Sequence, residues 1–213
     1  MSYAVKEIYY TLQGEGANTG RAAVFCRFAG CNLWTGHEED RASAICSFCD
    51  TDFVHTDGPG GGHFVTATVL AGVVLETWFC NSPTGGKPFV VCTGGEPLLQ
   101  VDDALISAFH EVGFEVAVET NGTCLPPKGL DWVCVSPKAG ADLVITVGDE
   151  LKLVFPQIGA EPDLYENLVF GHFFLQPMDG SHRARNTQLA IEYCLDHPKW
   201  RLSLQTHKLL GIP

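Results

Sequence analysis

Residues 88–119 read PFVVCTGGEPLLQVDDALISAFHEVGFEVAVE, and their pattern decides the fold class. The first five, 88–92, form an apolar run of strand length, rich in β-branched and aromatic residues. Thr93-Gly94-Gly95-Glu96-Pro97 interrupts it with turn-forming residues. Within 102–112, Ala104, Leu105, Ala108, Phe109 and Val112 share one face at helical spacing, and 114–119 is a second apolar strand. Strand, loop, helix and strand in that order make a βα unit of a parallel sheet.

The alternation continues on both sides. Strands are expected at 22–28, 131–135, 150–155, 173–176 and 200–205, and helices at 66–78, 162–168 and 186–195. About six such units are too few for a closed eight-unit barrel. The expected architecture is α/β, a partial (β/α)6-type open barrel with mostly parallel strands, in one domain spanning 1–213. Ligands of such sheets bind at the carboxyl ends of the strands. The polar segments Thr93–Glu96, Glu119-Thr120-Asn121, Ser136-Pro137-Lys138 and Gln176-Pro177-Met178-Asp179 fall there. Each by itself reads equally well as an ordinary turn.

Composition narrows the function classes. A chain of 213 residues, 46% hydrophobic and 18% charged, is long enough to bury roughly 70% of the surface it would expose unfolded. No apolar run reaches the length of a membrane span. The first residues, MSYAVKE, have no basic stretch ahead of an apolar core, so a cytoplasmic protein is expected. A net charge of −12 argues against nucleic-acid partners, which need clustered Lys and Arg. An anionic ligand would depend on local cations, which singles out Arg27, Lys138, Arg183, Arg185 and Lys208. Gly58-Pro59-Gly60-Gly61-Gly62 reads as a surface loop. Gly85-Gly86-Lys87 is no phosphate loop, because Pro88 stands where Ser or Thr and a helix are required.

The nine cysteines are an odd number, without a disulfide framework. Cys26, Cys92, Cys134 and Cys194 lie in apolar runs and read as buried thiols. Cys31, Cys46 and Cys49 instead form a C-x14-C-x2-C array with the spacing of metal ligands. Three thiolates on a four-iron cluster leave one iron open, where a small molecule can bind and be activated. Structural zinc is the alternative, with His37, His55 or Cys26 as a fourth ligand. Phe48 between the last two cysteines and the downstream Gly-Gly-Glu-Pro segment favour the cluster.

These features resemble the radical S-adenosylmethionine superfamily. That resemblance implies a [4Fe-4S] cluster on Cys31, Cys46 and Cys49, with S-adenosylmethionine on its open iron. The usual gap between the first two cysteines is three residues. Here 32–45 intervene, including Glu38-Glu39-Asp40-Arg41, read as a solvated excursion. A closer resemblance spans nearly the whole chain. YTLQGEG at 10–16, RFAGCNL at 27–33, TGGEP at 93–97, ETNG at 119–122, SPK at 136–138 and LQTHKLLGIP at 204–213 resemble the 7-carboxy-7-deazaguanine synthase family.

The resemblance implies a lyase that contracts the ring of 6-carboxy-5,6,7,8-tetrahydropterin, with loss of ammonia, in queuosine biosynthesis. Leu12, Gln13, Gly14, Glu15, Arg27, Thr93 and the carboxylate of Pro213 would meet the substrate. Phe48, Cys49, Asp50, Gly94, Gly95, Glu96, Glu119, Ser136, Pro137, Lys138, Gln176, Pro177, Met178 and Asp179 would meet S-adenosylmethionine, and Thr51 would meet Mg²⁺. A flavodoxin or ferredoxin donor and a homodimer are also implied. A glycyl-radical activase and a non-catalytic, zinc-stabilised binding module are the alternatives.

Overall fold

The computed structural model describes residues 2–82 and 86–213, so Gly85 lies outside the described residues. Their strands form one open sheet in the order β3-β1-β2-β4-β5-β6-β7-β8-β9. The strands are β1 (Tyr3–Leu12), β2 (Ala22–Phe28), β3 (Gly62–Phe64), β4 (Phe89–Gly94), β5 (Glu115–Thr120), β6 (Trp132–Val135), β7 (Val147–Phe155), β8 (Val169–Pro177) and β9 (Trp200–Leu202). From β2 to β9 every pairing is parallel; β1 runs antiparallel to both its neighbours. The mostly parallel α/β sheet expected from residues 88–119 is present.

Long crossover helices are fewer than expected. They are α1 (Ala67–Asn81), α2 (Asp103–Glu111) and α3 (Arg183–Asp196), with the single turn α4 (Thr206–Leu210) near the C-terminus. The expected helix at 162–168 is a 3-10 turn, Pro162–Tyr165. Gly122, Pro126, Pro127 and Gly129 keep the β5–β6 connection irregular. Strand β1 escaped the sequence reading because Lys6 and Glu7 interrupt its alternation. Lys6 is nonetheless buried, with its Nζ 2.7 Å from Asp57 and 2.9 Å from Asp52.

Local chemistry explains the helix starts. Thr66 Oγ1 accepts from Val69 N at 3.3 Å, and Asp102 Oδ1 accepts from Leu105 N at 2.9 Å. Helix α2 buries Leu105, Ile106, Ala108 and Phe109 against the sheet, while Ala104 is exposed, so the core face is rotated slightly from the expected one. Leu105 is fully buried in that core. Leu105→Ala is expected to lower unfolding stability by about 2–5 kcal/mol, read as a fall in the urea midpoint at unchanged slope.

Candidate active site

A cavity of about 630 Å³ opens at the carboxyl ends of the parallel strands. The ends of β2, β4, β5, β7 and β8 supply its floor, and the segment 31–53 with 205–213 supplies its walls. Every ligand-contact residue implied by the resemblance lines it except Glu96 and Pro137, and of the cations singled out Arg183 and Arg185 lie outside the lining.

Cys31, Cys46 and Cys49 all face this cavity. Leu33 ties them together. Its N–H donates to Cys31 Sγ at 3.4 Å, and its carbonyl accepts from Ile45 N at 3.1 Å. The thiol of Cys46 donates to Cys49, which pulls the Cys49 thiol down to about 6 and pushes that of Cys46 far up. Among the described residues no three His, Cys, Asp or Glu side chains converge as a single metal ion requires. Three sulfurs with backbone N–H donors and no oxygen ligand suit iron–sulfur chemistry. The fourth zinc ligands considered above do not reach the cavity: Cys26 is buried beside Cys92 between β2 and β4, and His37 and His55 lie outside the lining.

The Gly-Gly-Glu segment follows β4 directly. Gly95 lies against the Cys31 loop, where Glu96 N donates to Gly30 O at 2.9 Å. The Glu96 carboxylate is not part of the cavity lining. It is fully buried and accepts from Leu98 N, Thr120 Oγ1 and Asn121 N at 2.8–2.9 Å. Glu96 therefore locks the β4 loop to the end of β5. Pro137 is buried, and its carbonyl accepts from Gln157, so only Ser136 and Lys138 of that trio face the cavity. Burial pushes the Lys138 ammonium down, although nearby Cys46 and Cys49 favour its charge. Its Nζ donates to Ser136 Oγ at 2.8 Å.

At the opposite end of the cavity Lys152 sits between two carboxylates, 2.6 Å from Glu15 and 2.6 Å from Glu119. Gln13 Nε2 donates to Glu119 Oε1 at 3.0 Å. Glu119 thus shares one hydrogen-bonded group with Gln13 and Glu15, two of the residues expected at substrate. The glycines of the QGEG run leave room for their neighbours. Gly16 has φ +64°, and a Cβ there would fall 1.8 Å from Glu150 Oε1. One on Gly14 would fall 2.2 Å from His207 Nδ1.

Arg27 lies beside Thr93 in the β2–β4 register. Its Nε donates to Glu7 at 2.7 Å and its Nη2 to the Tyr9 hydroxyl at 2.8 Å. Two of the five guanidinium N–H groups are used, so three remain for a ligand carboxylate. Thr11 Oγ1 donates to Pro213 O at 2.9 Å, which fixes residue 213 at the cavity wall. Lys208 bridges Asp50 at 2.5 Å and Asp179 at 2.6 Å, tying α4 to the loop after Cys49 and to the end of β8. Thr51 lines the wall between Asp50 and Asp52, whose carboxylates are held by Lys208 and Lys6. A hard cation there would find one hydroxyl and would take its other ligands from substrate and water.

The sequence reading gave no role to Lys152, His207, Glu7, Tyr9, Trp34 or Arg41, all of which line the cavity. Only Lys152 carried a signal: a lysine inside the apolar strand ELKLVF.

A parallel α/β sheet with one polar, cysteine-bearing cavity at its strand ends is the arrangement of an enzyme. No protein-family model matches the chain. The chain is 62% identical over 216 residues to the 7-carboxy-7-deazaguanine synthase of Bordetella pertussis, covering 100% of both. It is likewise 62% identical over 215 residues to that of Caulobacter vibrioides, again with 100% of both covered. The crystal structure of QueE from Escherichia coli superposes with a TM-score of 0.71 at 28% identity, covering 97% of this chain and 95% of that one. The chain belongs to the 7-carboxy-7-deazaguanine synthase family.

Proposed function

We propose that this enzyme makes 7-carboxy-7-deazaguanine from 6-carboxy-5,6,7,8-tetrahydropterin with loss of ammonia, as a radical S-adenosylmethionine lyase. The observation that carries the proposal is one cavity holding both the three-thiol array and the Gln13–Glu15–Glu119–Lys152 group. Cys31, Cys46 and Cys49 would hold the [4Fe-4S] cluster. Gly94, Gly95, Phe48, Asp50, Ser136, Lys138 and residues 176–179 would surround S-adenosylmethionine, and Thr51 would offer its hydroxyl to Mg²⁺. Together these groups supply a one-electron cleavage of a sulfonium and a Lewis acid for the substrate carboxylate.

The chain's own contribution is recognition and orientation. Gln13, Glu15 and Glu119 present acceptors and an amide to the N–H-rich edge of a 2-amino-4-oxo ring. Arg27 offers a forked pair of donors to the carboxylate at the other end. Val154 and the α4 residues His207 and Lys208 also line the cavity. A position fixed at both ends of the substrate holds its ring in one orientation toward the thiols.

The proposal carries with it a flavodoxin or ferredoxin reductant, a cytoplasmic setting and a homodimer. Among the described residues no helix is long and apolar enough to cross a membrane. The test is anaerobic reconstitution with iron and sulfide, followed by product analysis with the carboxylated tetrahydropterin, S-adenosylmethionine, Mg²⁺ and a reductant. The expected product is 7-carboxy-7-deazaguanine with ammonia. A fully loaded protein that cleaves S-adenosylmethionine yet leaves the pterin unchanged would sink the proposal.

A further inference from the structure

The long gap between Cys31 and Cys46 is organised around one side chain. Arg41 Nη1 donates to Ser47 O at 2.9 Å and to Cys49 O at 3.0 Å. Those two carbonyls flank Phe48, inside the loop that carries Cys46 and Cys49. The guanidinium lies 4.1 Å over the ring of Trp34, and its remaining edge pairs with Glu38. Trp34 is itself buried, meets Phe53 edge-on at 5.6 Å, and donates from Nε1 to His37 O at 3.1 Å. Thr35 Oγ1 donates to Asp40 at 2.7 Å, and Ile45 N closes back on Leu33 O.

We infer that Arg41 is a positioning residue for the metal-bearing loop, and that the segment 32–45 exists to deliver it there. A loop whose carbonyls are held in a fixed direction presents its two thiols in a fixed direction. Partners one shell out from metal ligands commonly change metal retention by about ten- to a hundredfold. Arginine suits the position because a planar fork can bind two carbonyls while stacking on an indole. The excursion read from sequence as solvated is therefore a brace, with Arg41 partly buried between Trp34, Glu38 and the carbonyls of Ser47 and Cys49.

The inference rests on the proposed cluster, and the experiment separates the two. Wild type, Arg41→Met, Arg41→Lys and Glu38→Gln are reconstituted anaerobically as full-length chains. Iron per chain is measured, then the half-life of the cluster's visible absorbance in the presence of a ferrous chelator. Arg41→Met is expected to shorten that half-life by about tenfold or more. Arg41→Lys, which keeps the charge but not the fork, should recover only part of it. Glu38→Gln leaves the carbonyl bonds in place and should stay within about twofold of wild type.

Thermal melts of the cluster-free proteins provide the second reading, and all four are expected to coincide. Wild type that takes up no iron defeats the cluster proposal itself. Wild type that loads normally beside an equally long-lived Arg41→Met cluster overturns the role of Arg41. So does an Arg41→Met chain whose cluster-free melting temperature falls in step with its cluster lifetime, since that is a general folding defect.

Discussion

Gly95→Ala is expected to leave a folded chain that assembles little cluster and turns over about a hundredfold more slowly. A Cβ on Gly95 would fall 2.1 Å from Gly30 O, 2.6 Å from Gly30 C and 2.8 Å from Cys31 Cβ. None of these is the far end of a flexible side chain. Gly30 is held by its own N–H to Phe53 O at 3.1 Å, and Glu96 N donates to Gly30 O at 2.9 Å. The only relief is to push the Cys31 backbone away from the β4 loop, a displacement of about an ångström at the first thiol. Iron and sulfide per chain after anaerobic reconstitution measure the effect directly, independent of turnover. A Gly95→Ala protein with a full complement of iron and sulfide would show that Cys31 is not set by this contact.

The same contact explains which parts of the site were readable without coordinates. Thr93-Gly94-Gly95 was recognisable because glycines after an apolar strand leave space for a ligand or another backbone. Here the other backbone is that of Gly30 and Cys31. The burial of Glu96 was not readable, because its three donors come from the loop after β4 and the end of β5. Nothing in one strand's sequence reveals donors contributed by the next. The setting of Glu119 was hidden for a similar reason. Its position at a strand end was correct, but its partners Gln13 and Lys152 come from residues 106 and 33 positions away.

The fold divides along the same line. The apolar stretches of β4 and β5, residues 89–92 and 116–118, lie inside the parallel sheet and are visible as hydrophobic runs. Strand β1 carries Lys6 in its middle, and only the distant Asp52 and Asp57 make its burial possible. Periodicity reports what a residue prefers; it is blind to a partner supplied from elsewhere in the chain. The buried ion pairs of this protein are where that blindness matters most, and they concentrate at the cavity.

Lys152 is the strongest case, and Lys152→Met is expected to lower kcat/KM for the pterin by about a hundredfold or more. The ammonium is 4% exposed and lies 2.6 Å from each of Glu15 and Glu119. Removing one partner of a buried ionic group costs about 3–5 kcal/mol, because the remaining charges lose their compensation. Methionine preserves the volume, so the deficit is electrostatic. Burial pushes the Glu15 carboxyl up, and the Lys152 ammonium, helped by His207 and Gln205, more than offsets this, leaving it below the usual carboxylate value. A folded-state value below the unfolded one stabilises above the unfolded value and is lost only as pH falls through the folded value. Wild-type recognition should therefore be insensitive to pH around neutrality.

Without the ammonium, burial dominates and pushes the Glu15 carboxyl up. A protonated carboxyl is a poorer acceptor for an N–H-rich ring edge, so the variant's kcat/KM should fall as pH is lowered where wild type stays level. Adding Glu119→Gln to Lys152→Met removes one excess negative charge and is expected to restore part of the loss. That non-additivity is diagnostic of a shared charge network. Parallel pH profiles for wild type and Lys152→Met, or strictly additive losses in the double variant, would mean that Lys152 supports the strand and takes no part in reading the substrate.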